Sequence, residues 1–305
     1  MTSKVIYLCR LMKAKFLPWI IFFSLVFVWG SSFIIMKHAL QGFSAIQIGA
    51  ARIIFAALFT LTFAYPCFKE FRRSDIPHLI VIAILGNSIP YVLFPVAINY
   101  IPSGIVGITN SMTPLFTLLV GLFLYGRKLK PLKTLGISIG MLGTLILINP
   151  FDTNSIVGYN WPYIILALIG AACYGVSINS IAKLNHLSPR AITLFAMLGA
   201  SIPSIFILIF TDFSSTIFWP SGILKSDILV PFLAVAFLGI FGTSLSMVVF
   251  NKLISITTPI FAASTTYVIP IVALVWGIID GESLLLNHFL GMAVILLGIW
   301  IVNKK

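Results

Sequence analysis

Arg52 is the one charge that stands clearly inside a long apolar run, Ile46–Tyr65. A charge held in hydrocarbon costs several kcal/mol, about 2.5–3.5 on insertion scales, unless it is paired or wet. Two roles answer that cost. The guanidinium can tie its helix to a carbonyl of a neighbour, or it can face a cavity and bind the carboxylate of a small molecule. Polar residues also gather beside prolines. Asn87 and Ser88 precede Pro90 and Tyr91; Asn110, Ser111 and Thr113 precede Pro114; Thr265, Thr266 and Tyr267 precede Pro270. Proline lacks an N–H and frees a carbonyl. Polar groups next to it serve either hydrogen bonds between helices or a binding site near the bilayer midplane. Trp29, Ser31 and Ser32 flank Gly30 in one apolar run, and Tyr174, Ser177 and Asn179 lie in another. The candidate binding set is Trp29, Ser32, Arg52, Asn87, Tyr91, Asn110, Ser111, Tyr174, Asn179, Thr265 and Tyr267. Ser246 and Asn251 are weaker candidates, and Trp276 reads as packing or as part of an aromatic belt.

This chemistry is recognition, not bond-making. His38, His78, His186 and His288 are far apart, and Cys9, Cys67 and Cys173 form no CxxC pair. No zinc-protease, serine-hydrolase or nucleotide P-loop pattern occurs. No enzyme activity, metal or cofactor is expected. Asp280 and Glu282 are expected in a wet loop, with proton coupling at an outer mouth as a secondary role.

The elements that must position these residues are membrane helices. Hydrophobic residues make up 60% of the chain and charged residues 9%, with a mean hydropathy of +1.12. A soluble fold carries roughly 25% charged residues, so the covering solvent here is the bilayer. Runs of about 20 apolar residues are expected near Leu17–Met36, Ile46–Tyr65, Pro77–Ala97, Gly104–Tyr125, Leu132–Ile148, Trp161–Ile181, Ala191–Phe210, Leu229–Phe250, Pro259–Ile279 and Phe289–Val302. The first is too long for a cleaved signal and has no small-residue cleavage site after it. The longest connection is Thr211–Ile228. Ten spans put both termini on one side, and sixteen of the 19 Lys and Arg residues fall there, against Lys37 and Lys225 on the other. That asymmetry places both termini in the cytoplasm, and it reads the net charge of +12 as topology, not as a nucleic-acid surface. The expected organisation is a cytoplasmic N-terminus at 1–16 and five-helix units at 17–150 and 160–303.

The two units match. Pro114 pairs with Pro270 at an offset of 156; Gly126, Leu129, Leu135, Gly136, Leu142 and Gly143 pair with Gly281, Leu284, Leu290, Gly291, Leu297 and Gly298 at 155. Trp29-Gly30 echoes Tyr174-Gly175. Five is odd, so the second copy enters the membrane inverted. The hairpin Gly126-Arg127-Lys128-Leu129-Lys130 is basic, and its counterpart Asp280-Gly281-Glu282-Ser283-Leu284 is acidic. The fold class expected is all-α integral membrane, ten transmembrane helices as two inverted five-helix repeats.

The chain resembles, over its whole length, the ten-helix EamA-type branch of the drug/metabolite transporter superfamily. The resemblance is carried by Val28-Trp29-Gly30-Ser31-Ser32-Phe33, Arg52, Tyr100-Ile101-Pro102-Ser103-Gly104, Pro114, Leu135-Gly136 with Leu142-Gly143, and Gly281-Glu282 with Leu290-Gly291. The family often has Gly-Glu after its fourth span, where this chain has Gly126-Arg127. The first span has no acid, which separates it from the small multidrug resistance branch. The resemblance implies a monomeric secondary carrier in the inner membrane that moves a small polar metabolite, an amino acid or related compound, by alternating access. An alternative is uptake or exchange of a nucleotide-like metabolite such as S-adenosylmethionine. The partners implied are the small-molecule substrate and the lipid bilayer, with no nucleic acid.

Overall fold

The computed structural model describes residues 2–125, 131–148, 160–217, 226–257, 259–263 and 265–303, which are helices and short connections without a strand. The basic hairpin at 126–130, the connection around 150, Trp219 and Pro220, Lys225 and the terminal Lys304 and Lys305 lie outside the described residues.

The first half runs α1 (Thr2–Ala39), α2 (Ala45–Ala64), α3 (Ile76–Ala83), α4 (Ile89–Ile98), α5 (Ser103–Asn110), α6 (Thr113–Tyr125) and α7 (Pro131–Ile148). The second half runs α8 (Trp161–Ile181), α9 (Pro189–Phe210), a short α10 (Phe213–Ile217), α11 (Leu229–Gly239), α12 (Ser246–Ile256), α13 (Pro259–Ala263), α14 (Thr265–Ile279) and α15 (Leu286–Asn303). Joined end to end, these helices give eight stretches among the described residues that are long and apolar enough to cross a membrane, from Phe16–Ala39 to Phe261–Ile279. α7 and α15 add two shorter apolar helices, Leu135–Leu147 and Leu286–Gly298. Phe27, Leu58, Phe123, Ile209 and Phe210 are among many large apolar side chains left facing outward, as lipid-facing helices require.

Local chemistry sets the helix starts. Ser44 caps α2 by accepting from the Gln47 N–H at 3.3 Å, and the Gln47 side chain returns the bond to the Ser44 N–H at 3.0 Å. Ser188 caps α9, whose first residue is Pro189, where a missing N–H costs nothing.

Two helices contain a π-turn. Ile84–Ser88 joins α3 to α4, and Ile240–Leu245 joins α11 to α12. A π-turn widens the helix and misaligns carbonyls, often at functional sites. Side chains take up the displaced carbonyls in both. Asn87 Nδ2 donates to Ile82 O (2.8 Å) and Ser88 Oγ to Ala83 O (3.1 Å); Thr243 Oγ1 donates to Leu238 O (2.9 Å) and Ser246 Oγ to Phe241 O (2.6 Å). All four bonds run five residues back.

The glycines that match between the halves meet at one crossing of α7 and α15. A Cβ on Gly143 would lie 2.9 Å from Gly291 O, and one on Gly298 would lie 2.6 Å from Gly136 O. Small residues there let the two backbones touch, the usual route to tight packing in lipid.

Candidate functional site

Arg52 occupies a slot made by two close helix contacts. One turn before it, a Cβ on Gly49 would sit 2.8 Å from Tyr91 O, so α2 lies directly on α4. On the other side a Cβ on Gly239 would sit 2.8 Å from Arg52 O, so α11 lies against α2. The guanidinium emerges between them, 5% exposed. Its Nε donates to Thr243 Oγ1 (2.6 Å) and its Nη2 to Gly242 O (3.2 Å). Among the described residues Nη1 has only the long contact to Met36 Sδ at 3.9 Å. The Tyr91 ring stacks under it, 4.0 Å from Cζ to the ring centroid. Arg52 therefore ties α2 to the second π-turn and also lines a cavity.

That cavity lies between the halves, and its empty space, mouth included, is about 700 Å³. From the first half come Trp29, Ser32, Phe33 and Met36 of α1, Arg52, Gly86 of the first π-turn, Tyr91 and Phe94 of α4, Asn110 of α5 and Thr113 of α6. From the second come Tyr174, Ser177, Ile178 and Ile181 of α8, Met247 and Phe250 of α12 and Thr266 of α14. Trp29 Nε1 donates to Gly242 O at 3.0 Å, so one carbonyl turned out by the π-turn receives both Trp29 and Arg52. The Trp29 and Phe250 rings meet edge to face at 5.1 Å, and Phe94 lies tilted on Tyr174 at 5.7 Å.

Of the sequence candidates, Trp29, Ser32, Arg52, Tyr91, Asn110 and Tyr174 come together at this cavity. The others do other work. Asn87 is fully buried and spends its amide on the π-turn. Ser111 donates to Ile108 O at the break between α5 and α6. Asn179 donates to Thr117 O and Gly175 O, both at 2.9 Å, joining α8 to α6. Thr265 donates to Ala262 O, while its neighbour Thr266 takes the lining position. Tyr267 packs against the core. Of the weaker candidates, Ser246 closes the second π-turn and Asn251 donates to Thr193 Oγ1 at 2.9 Å. Trp276 Nε1 donates to Ser31 Oγ at 2.9 Å.

Gly242 and Thr243, which hold Arg52, are not among the sequence candidates, although the sequence carries a signal for them. Ile84-Leu85-Gly86-Asn87-Ser88 and Ile240-Phe241-Gly242-Thr243-Ser244 align at 156, the offset that pairs Pro114 with Pro270. The apolar lining residues Phe33, Met36, Phe94, Met247 and Phe250 carry no such mark.

Other contacts also recur in exchanged form. Ser32 is the nearest atom to a Cβ on Gly242, and Ser177 is nearest to one on Gly86. Gly30 faces Val272, and Gly175 faces Phe116.

Glu282 is not in a wet loop. Its side chain is 3% exposed. It accepts from the Ser103 N–H (3.0 Å), Ser103 Oγ (2.7 Å) and the Gly104 N–H (3.1 Å), and pairs with Lys37 at 3.1 Å. Four donors converge because the hairpin between α14 and α15 turns sharply at Gly281, with φ +74°, and aims the carboxylate at the N-terminus of α5.

The pattern of the EamA-like transporter family matches residues 17–149 and again 161–304. An uncharacterized transporter of Archaeoglobus fulgidus is 27% identical over 289 residues, covering 94% of this chain and 99% of that one. The uncharacterized inner membrane transporter YedA of Escherichia coli is 25% identical, covering 92% and 89%. A probable amino-acid metabolite efflux pump of Escherichia coli is 24% identical over 59% of this chain and 58% of its own length. A solved crystal structure superposes with a TM-score of 0.63 at 14% identity, over 94% of this chain and 96% of the other; that likeness is one of fold.

Proposed function

We propose that this chain, a multi-pass membrane protein that belongs to the EamA-like transporter family, is a secondary carrier whose substrate crosses through the cavity at Arg52. It works by alternating access, as a monomer in the inner membrane with both termini cytoplasmic. The substrate is a small polar metabolite, an amino acid or a related compound. The observation that carries this reading is that the lining comes from both halves at matching places. Trp29 and Ser32 of α1 correspond at an offset of 145 to Tyr174 and Ser177 of α8, and all four line the cavity.

In this reading α7 and α15 are the fifth and tenth spans, and the halves are inverted repeats. The exchanged contacts support it: Gly30–Val272 with Gly175–Phe116, Gly242–Ser32 with Gly86–Ser177, and Gly143–Gly291 with Gly298–Gly136. Each pair maps onto the other when the halves are swapped. The sixteen-to-two division of basic residues supports the orientation. An amino-acid-like substrate is favoured by the partial likeness to the probable amino-acid metabolite efflux pump.

The test is flux in liposomes. Purified protein is reconstituted, and a broad panel of labelled amino acids, organic acids and nucleotides is offered with and without unlabelled compound inside. Saturable uptake that accelerates on counterflow is expected for at least one compound. Uptake of the whole panel no faster than in empty liposomes overturns the carrier reading.

A further inference from the structure

We infer that the ligand of the central cavity is an organic anion with an apolar body, its carboxylate on Arg52 and no ammonium group beside it. This rests on the carrier reading and narrows its substrate from an amino acid to a related carboxylate that lacks the ammonium group. The first ground is charge. Arg52 is 5% exposed, and no carboxylate lies within 4 Å of it among the described residues. Its own ties are neutral: a threonine hydroxyl, a glycine carbonyl and a thioether. A guanidinium in a low-dielectric site without a counter-charge lacks its best partner, and a bound carboxylate supplies it.

The second ground is the balance of unspent donors and acceptors. A guanidinium has five N–H donors. Two reach oxygen here, which leaves three without an oxygen partner among the described residues. The hydroxyls of Tyr91 and Tyr174 and the Asn110 amide N–H₂ are likewise in no hydrogen bond among those residues, and all three side chains line the cavity. The site is thus rich in donors and holds one full positive charge.

The third ground is what an ammonium group would meet. Among the described residues the lining contains no acid. Ser32, Thr113, Ser177, Thr266, Tyr91 and Tyr174 offer hydroxyl oxygens, but these are neutral. The face of Tyr91, the obvious cation platform, is already covered by Arg52 itself. A cation entering this space is desolvated next to a like charge, and only neutral oxygens and aromatic faces are there to offset it. A zwitterion gains on one end and loses on the other. The remaining wall, formed by Trp29, Phe94, Phe250 and Met247, is apolar and takes the body of the ligand.

Three compounds with a common phenylethyl body test this. 3-Phenylpropionate is an anion, phenylalanine a zwitterion and phenethylamine a cation at neutral pH. Binding to the full chain in nanodiscs is measured by calorimetry. The expected order is 3-phenylpropionate about tenfold tighter than phenylalanine, with phenethylamine not bound, and the first difference vanishing in Arg52→Met. Phenylalanine or phenethylamine binding as well as the anion overturns the inference. So does the absence of binding by all three. The same three compounds in counterflow separate the readings. Saturable phenylalanine flux with no preference for the anion keeps the carrier and discards the charge assignment. No saturable flux of these or of the broad panel discards the carrier.

Discussion

Arg52→Met is expected to lower the affinity for 3-phenylpropionate about 100-fold while the protein still folds. A hydrogen bond to a charged group is worth about 1.5–3 kcal/mol, and a factor of ten in affinity is about 1.4 kcal/mol. Loss of the guanidinium fork removes one to two such bonds from a bound carboxylate. The fold survives because the substitution strands nothing. Gly242 O keeps its bond from Trp29 Nε1, and Thr243 Oγ1 still donates to Leu238 O. Methionine fills a similar volume over the Tyr91 ring without the cost of a buried charge. Arg52→Lys is expected to lose most of the affinity too, since an ammonium is a point charge and cannot reproduce the planar fork. Calorimetry for binding and thermal unfolding in detergent for stability separate the two roles. Unchanged affinity in a folded Arg52→Met would leave Arg52 as a tie between α2 and the second π-turn and nothing more.

Glu282→Ala is expected to be the most destabilising single truncation of a charged side chain among the described residues, at about 3 kcal/mol. Removing one partner of a buried charged pair costs about 3–5 kcal/mol. The lower end applies because the Lys37 side chain is 38% exposed and recovers much of its solvation. The greater loss is at α5, where the Ser103 and Gly104 N–H groups belong to a first turn that has no carbonyls before it. Glu282 supplies both an acceptor and a negative charge at that helix end. Glu282→Gln keeps one acceptor oxygen and should cost about half as much. Thermal unfolding of both variants measures this, and an Ala variant that melts with the wild type would show that water replaces the carboxylate. The residue matched to Glu282 in the first half is Arg127.

Much of this site could be read from residue types. Arg52 stood out because a lone charge among apolar residues has to be accounted for, and the matching Trp29-Gly30 and Tyr174-Gly175 pairs marked the two helices that face each other. The rest was hidden for physical reasons. Asn87 looked like a lining residue beside Pro90, but its amide completes a π-turn, and helical periodicity does not register one extra residue in a turn. Thr265 and Thr266 are identical in type, and only the rotation of α14 decides that the second faces the cavity. Phe33, Phe94 and Phe250 line a cavity while Phe27 and Phe123 face lipid; in a helix apolar on every side, composition cannot tell these apart. Glu282 read as solvated because acids in short hairpins usually are. Its burial depends on α5 beginning beside that hairpin, a contact between residues far apart in the chain.

On the carrier reading one cavity, at Arg52, opens in turn to each side of the membrane. Thr113 lines that cavity, so a Thr113→Cys reporter in a chain whose Cys9, Cys67 and Cys173 are replaced by serine reads it directly. A membrane-impermeant thiol reagent is applied to either face of right-side-out and inside-out vesicles. Labelling from both faces, slowed on each by 3-phenylpropionate, is the result predicted. Labelling confined to one face, or unaffected by the ligand on both, would contradict it.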